Sequence, residues 1–362
     1  IEQSNIRTIP DFELWSPENP KLYPVTVRAG DDELTLEVGF RTMEFREDGF
    51  YLNGEKRKLR GVCRHQDRAG RGWGRSAADE AEDVRWIKLM GADAVRTAHY
   101  PQSEAFLDLC DREGLIVWEE LPNVNGITFT AKAEENERMM AREMVEQHRN
   151  HPCIFAWGIF NELYNKPMPE GTAEPRMAAL SKFINELDPT RPTVGASCRN
   201  WLVDLHKTPD QIGFNLYPTW AGEGAVTMKM KIDDAFRTNA TLKIAAVSEY
   251  GAGAGARQHA SIRTRATAYD SVFHPQEYQA YHHWNCYRDI KDDPRIWGSF
   301  LWVMFDLGSD AKIEGEHVGM NDKGMVSWDR MIAKDAFYLY KANWNPEPML
   351  HLVGDRLTDL TD

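Results

Sequence analysis

Ile154–Glu162, IFAWGIFNE, is an apolar run that stops abruptly at an amide and a carboxylate, Asn161 and Glu162. A continuous apolar stretch of this length, rich in Ile, Phe and Trp, suits a strand buried on both faces, as in a parallel sheet. Its last step stands where the interior meets solvent. In barrel and doubly wound folds, that C-terminal strand end is where chemistry is placed. Glu162 is therefore read as a catalytic acid whose partner must come from elsewhere in the chain.

Outward from this run, short apolar segments alternate with amphipathic ones. The expected strands are Leu59–Arg64, Ala94–Thr97, Ile116–Trp118, Ile154–Phe160, Thr193–Ala196, Ile212–Leu216, Ile244–Val247 and Gly298–Phe305. Helical stretches lie near Asp79–Met90, Ser103–Glu113, Ala133–Arg149, Arg176–Leu187, Val226–Arg237 and Pro275–Ile290, while Arg199–Asp210 is short and only weakly helical. Strict strand–helix alternation of this kind predicts a (β/α)8 TIM barrel of the α/β class. A doubly wound sheet is the alternative, but no glycine fingerprint follows the first strand.

The barrel is assigned to residues 42–345. Before it, Tyr23–Arg28 and Glu33–Phe40 alternate around Gly30-Asp31-Asp32, the pattern of a hairpin, so 1–41 is expected to be the end of a β-sandwich domain. A second hairpin, Phe50–Leu52 with Lys56–Leu59, turns at Asn53-Gly54, a pair suited to a type I′ turn. Residues 346–362 open on Pro346 and Pro348 and read as a linker or the opening of a further domain.

Composition excludes several classes. The net charge is −13, against the clustered Lys and Arg that nucleic acid or an anionic membrane requires. No apolar run reaches the roughly 18 residues of a membrane span. The five Cys (Cys63, Cys110, Cys153, Cys198 and Cys286) are scattered, without metal-ligand spacing or a disulfide framework. The compartment stays open between cytoplasm and periplasm.

The expected strand ends present a distinctive set of side chains. They supply His65 and Asp67, Arg96 and His99, Glu119 and Glu120, Asn161 and Glu162, Asn215 and Tyr217, Glu249 and Tyr250, and Trp302 and Asp306. Two carboxylates facing across a barrel mouth can cleave a glycosidic bond, one protonated to donate to the leaving oxygen and one ionised to attack the anomeric carbon. Strands four and seven lie on opposite sides of the mouth, which pairs Glu162 with Glu249. Arg96 is placed to keep the nucleophile ionised, Tyr217 to hydrogen-bond it, Asn161 to meet the sugar 2-hydroxyl and Trp302 to carry the ring's apolar face. The blander readings are a salt bridge or cap for a single strand-end Glu, core histidines for His65 and His99, and core aromatics for Tyr217 and Trp302. Glu119 and Glu120 are assigned a structural role, such as bracing Arg96.

Several long segments, in order, resemble glycoside hydrolase family 2, the clan of β-galactosidases, β-glucuronidases and β-mannosidases. They are WSPENPKLY, GFRTMEF, LNGEKRKLRGVCRHQD, AVRTAHYPQSEAFLDLCDREGLIVWEE, HRNHPCIFAWGIFNE, VSEYG and GSFLWVMFD, spread over most of residues 15–345. The resemblance implies β-sandwich domains before the barrel, with only the end of the immunoglobulin-like one present here. It implies that Glu162 is the acid/base, that Glu249 is the nucleophile and that the mechanism is retaining. It also puts His65, Asp67, Arg96, His99, Asn161, Tyr217 and Trp302 around the sugar, and an oligomer through domains outside this chain.

For the substrate, Asn321-Asp322-Lys323-Gly324 fits the Asn-x-Lys-Gly pattern with which β-glucuronidases hold a carboxylate. Its blander reading is a loop lysine paired with Asp322 or Asp329. The flanking GMNDKGMVSWDR and KDAFYLYKANWNPEP look more like β-galactosidases, so a terminal β-galactoside is expected, with a β-glucuronide or β-galacturonide as the alternative. A barrel that binds carbohydrate without turning it over is the reading from another class. The Glu-x-His that binds magnesium in some relatives is replaced by Leu121-Pro122-Asn123-Val124-Asn125, so no metal and no cofactor are expected.

Overall fold

The structure, a computed structural model, describes residues 11–220, 225–260 and 271–352. Two small antiparallel sheets come first. β1 (Tyr23–Ala29) and β2 (Asp32–Val38) pair with each other as a hairpin. β3 (Met43–Arg46), β4 (Gly49–Leu52) and β5 (Glu55–Arg57) form a meander. Its second turn has positive φ at both Asn53 (54°) and Gly54 (83°), as a type I′ turn requires. The second arm ends at Arg57, because the residues from Leu59 onward belong to the barrel.

The barrel then runs β6 (Leu59–Arg64), α1 (Ala77–Met90), β7 (Ala94–Thr97), α2 (Glu104–Glu113), β8 (Ile116–Glu120), α3 (Ala131–His148) and β9 (Ile154–Asn161). It continues through α4 (Ala173–Leu187), β10 (Thr193–Ser197), α5 (Val203–His206), β11 (Gln211–Asn215), α6 (Met228–Thr238), β12 (Ala245–Glu249), α7 (Gln276–Lys291) and β13 (Ile296–Leu301). Eight parallel strands close on themselves, with Gly298 of β13 beside Leu59 of β6. The chain is thus a TIM barrel preceded by a β-hairpin. The hairpin, β14 (Leu307–Gly308) with β15 (Met320–Asn321), and the meander are sheets of their own outside it. No helix among the described residues is long and apolar enough to cross a membrane.

Local sequence explains the joints. Ser76, Ser103, Thr130 and Thr227 each accept a backbone N–H three residues on, capping α1, α2, α3 and α6. Gly91 and Gly114 end α1 and α2 at φ 89° and 69°, the left-handed close of a helix. Two differences from the sequence reading stand out. The expected strand Gly298–Phe305 starts at Ile296 and stops at Leu301. Val303, Met304 and Phe305 are apolar because they are buried by the loops that follow, not because the strand goes on. A final helix, α8 (Asp335–Trp344), was not expected; its buried Ala336, Phe337, Tyr340 and Trp344 follow helical spacing. The described part of the expected tail, 346–352, contains no helix or strand; 353–362, like 1–10, lies outside the described residues.

Inside the barrel, large rings sit over glycines. A Cβ on Gly61 would meet Phe300 at 2.2 Å, and one on Gly195 would meet Phe160 at 2.3 Å. The N-terminal end is plugged by the meander, where Phe45 and Phe50 pack on Phe155 and Trp297 with ring centroids 5.0–6.2 Å apart. That leaves the C-terminal mouth for ligands.

Candidate active site

Glu249, the last residue of β12, is 5% exposed and receives a donor on each oxygen. The Arg96 guanidinium donates to Oε1 at 2.7 Å and the Tyr217 hydroxyl to Oε2 at 2.8 Å. Arg96 sits on β7, fully buried, and every arm of its fork is used. It also donates to Glu120 Oε1 (2.6 Å), the Ser248 carbonyl (3.1 Å) and Asn161 Oδ1 (2.8 Å). Burial opposes its charge, but the Glu120 and Glu249 carboxylates outweigh that and hold its pKa well above the usual arginine value. Burial, followed by the charges of Glu249 and Glu162, raises Tyr217 well above the ordinary phenol range, so it stays a donor.

Glu162 stands one residue beyond β9 at φ 49°, in the left-handed region that a non-glycine residue adopts only under constraint. Its backbone N–H donates to the Ala196 carbonyl, pinning the turn to the neighbouring strand. Asn215 Nδ2 donates to Oε1 at 2.9 Å and Asn165 Nδ2 to Oε2 at 2.7 Å. Burial raises the Glu162 pKa, the negative charge of Glu249 adds to this, and the Asn215 hydrogen bond only partly opposes it. The two carboxyls thus have unlike surroundings: one gripped by a guanidinium, the other desolvated and facing an anion. That division is what acid and nucleophile require.

The remaining residues surround the two carboxyls. Asn161 Oδ1 accepts from Arg96 and Asn215, and Asn215 in turn accepts from Ser248 Oγ at 2.7 Å. His99 Nδ1 lies 2.8 Å from Glu120, with its Nε2 3.8 Å from Glu249. Its ring stacks on Trp302 at 5.3 Å and 13°, so one face of the indole is already covered. His65 meets Trp302 and His99 edge-on and pairs with the Tyr100 hydroxyl at 3.0 Å. Burial, then the positive field of His99, Arg96 and Arg64, lowers its pKa well below the usual histidine value, which leaves a neutral ring. The peptide bonds Ala98–His99 and Trp302–Val303 are cis.

Asp67 is half-buried, and its Oδ2 takes the Gly308 N–H and the Trp328 indole, both at 2.7 Å. It thereby ties the loop after β6 to that after β13. Asn321 lies in β15, and its Oδ1 accepts the Lys323 N–H at 3.2 Å. The Lys323 carbonyl accepts from Val303, next to Trp302. Its ammonium is buried 5.5 Å from the Trp220 ring and 3.4 Å from Glu314, which also pairs with Lys312 at 3.0 Å. The lysine's partner is therefore neither Asp322 nor Asp329: Asp322 is bonded to His274, and Asp329 to Ser327.

Of the two candidate bracing residues, only Glu120 touches Arg96. Glu119 faces the other way, to His148 and the Gln102 N–H. Asp306 leaves the mouth altogether, buried against Lys334 and the Gly324 N–H. Asn215 was among the expected strand-end residues but had no assigned role, and Asn165 was not expected at all. The first carried a signal as the last residue of its strand, whereas the second contacts Glu162 only through a turn that no pattern announces. Three groupings of His, Cys and carboxylates among the described residues have metal-compatible spacing, and none includes Glu162 or Glu249.

A closed parallel barrel with two carboxyls of opposed environment at its C-terminal mouth is an arrangement that can serve hydrolysis at an acetal. Residues 43–347 match the family model of the TIM barrel domain of glycosyl hydrolases family 2, and the chain belongs to that family. It is 37% identical over 358 residues to a beta-glucuronidase of Bacteroides fragilis, covering 95% of this chain and 50% of that protein. The crystal structure of an FMN-binding beta-glucuronidase from Facaelibacterium prausnitzii L2-6 superposes with a TM-score of 0.88 at 35% identity, covering 96% of this chain and 54% of that one. A putative beta-galactosidase from Bacteroides fragilis gives 0.85 at 32%, with 94% and 51% covered. The chain spans about half the length of the curated relatives and solved structures it matches.

Proposed function

We propose that this chain carries the catalytic barrel of a retaining exo-β-glycosidase that removes a terminal uronic acid. The observation that carries the glycosidase reading is the pair of Glu162 and Glu249 in unlike surroundings. Glu249 Oε attacks the anomeric carbon as the bond to the leaving oxygen breaks, and Glu162 gives that oxygen its proton. Water then attacks the same carbon from the vacated side, Glu162 takes the water's proton, and Glu249 departs with its electron pair. Arg96 and Tyr217 hold the nucleophile in place and accept the return of its charge. Asn161, with its oxygen occupied, offers its amide N–H to the sugar. His65, Asp67, His99 and Trp302 bound the glycone pocket. Residues 11–41 are read as the end of a preceding β-sandwich domain.

The uronide preference is supported by Lys323 and by the relatives. Lys323 is a buried cation that shares its carboxylate partner, Glu314, with Lys312. A sugar carboxylate is the group that fits it. The name beta-glucuronidase, borne by the curated Bacteroides fragilis relative and by the Facaelibacterium prausnitzii L2-6 structure, agrees with that preference. A β-galactoside, which the loop sequences favoured, is the second reading, supported by the match to a putative β-galactosidase. Nitrophenyl β-glucuronide, β-galacturonide and β-galactoside should be compared on the wild-type chain and on Lys323→Ala. The variant is expected to lose uronide turnover selectively, and an unchanged uronide-to-galactoside ratio would rule the uronide reading out.

A further inference from the structure

We propose that Asn165, Arg199 and Trp201 form a leaving-group subsite, beside Glu162, for a sugar ring bearing a carboxylate or sulfate. The proposal rests on the reading of Glu162 as proton donor, because the group attached to the departing oxygen must lie on the donor's solvent side. Of the two Glu162 oxygens, Oε1 is held from the buried side by Asn215 and Oε2 from the rim by the exposed Asn165. Asn165 is also where two loops meet. Its Oδ1 lies 3.4 Å from Cys198 Sγ and 3.5 Å from an Arg199 guanidinium nitrogen, both in the loop after β10. The Cys198 thiol is pushed up to about 12, by burial and then by the Glu162 carboxylate, with Arg199 opposing, so all three share one field. From Arg199 the shelf continues outward to Trp201, whose ring lies 5.6 Å from the guanidinium.

Two features separate this shelf from ordinary surface. Arg199 makes no ion pair among the described residues, and neither does the neighbouring Lys166, in a chain with 56 acidic and 43 basic side chains. By contrast, Arg64 and Arg96 are saturated with carboxylates. An unpaired guanidinium fork is matched by a planar carboxylate or a sulfate. Trp201 is 62% exposed and makes no ring–ring contact among the described residues, whereas the equally exposed Trp73 already packs on Tyr100, its ring tilted by 37° at 4.5 Å. With the Arg199 guanidinium over one face, the exposed indole leaves its other face for the apolar face of a sugar that carries an anion.

The test uses thio-linked disaccharides, which bind without being cleaved, titrated calorimetrically into the intact chain. The non-reducing ring is glucuronic acid or galactose, and the reducing ring is N-acetylglucosamine with or without a 6-sulfate. The sulfate is expected to tighten binding about tenfold, roughly the effect of one charge-assisted hydrogen bond. Arg199→Gln should abolish that preference while leaving the unsulfated compound unaffected, and Arg199→Lys should keep part of it. Trp201→Ala should weaken both disaccharides but not the monosaccharide. No sulfate preference in the wild type, no disaccharide binding at all, or a preference that survives Arg199→Gln overturns the proposal. Failure of the glycosidase reading is seen separately, as absence of nitrophenyl glycoside turnover with the sulfate preference intact.

Discussion

Glu162 and Glu249 differ by what touches them, and that difference has consequences for pH. Glu162 must be protonated to act as acid, and burial with the nearby Glu249 charge raises its pKa. Its protonated form therefore persists to higher pH than an ordinary glutamic acid allows, and the alkaline limb of kcat/KM should follow it. Asn215 stabilises the ionised form through its 2.9 Å hydrogen bond. Removing it in Asn215→Ala is expected to raise the pKa further and move that limb to higher pH; a shift to lower pH would contradict the assignment. Glu162→Ala should lose about 10²–10⁴-fold in turnover of poorly activated substrates. Azide should restore activity to this variant with an activated aglycone, but not to Glu249→Gln. The strand-end positions of both carboxylates were legible in the sequence, whereas the left-handed backbone at Glu162 was not, because that conformation is imposed by the Ala196 contact across the sheet.

At the scale of elements, the barrel depends on close approach of rings to glycines and on the aromatic floor. Phe50 is fully buried against Phe45 and Phe155, so Phe50→Ala should cost about 3–5 kcal/mol, measured by chemical unfolding. Gly195→Ala should destabilise too, because its Cβ would meet the tip of the Phe160 ring at 2.3 Å, and that ring is buried in the core with little room to move. His151 links α2 to the entry of β9, its Nδ1 pairing with the Asp111 carboxylate at 2.6 Å and its Nε2 with that of Glu104 at 2.9 Å. Burial would lower its pKa, but Asp111 and Glu104 outweigh burial and raise it to about 9. A raised folded-state value stabilises fully below the unfolded pKa of about 6.5 and is lost as pH climbs through 9. Melting temperature should therefore fall between those limits, and His151→Gln should flatten that fall. A slope that survives the substitution would show that another group is responsible. The elements themselves were largely legible from periodicity. The end of β13 was not, because loop packing buries Val303, Met304 and Phe305 as thoroughly as a strand would.

For the molecule as a whole, eight parallel strands close into one barrel whose C-terminal ends share a mouth, and residues 43–347 match a TIM barrel family model. Topology made this convergence predictable: a strict alternation of strands and helices places every C-terminal strand end on one face. Partner choice within the mouth was harder to read. Glu119 and Glu120 are adjacent in sequence, yet alternation along β8 sends one toward His148 and the other toward Arg96. Likewise, the partner of Lys323 comes from Glu314, nine residues away across a loop without regular periodicity. The central claim is that Glu249 attacks the sugar while Glu162 donates the proton. Incubation with a 2-fluoro β-glycoside bearing a good leaving group, followed by mass spectrometry of the digested chain, tests it most directly. A stable glycosyl ester is expected on the peptide containing Ser248-Glu249-Tyr250 and none in Glu249→Gln; an adduct on another carboxylate, or label undiminished in that variant, would show that a different group attacks.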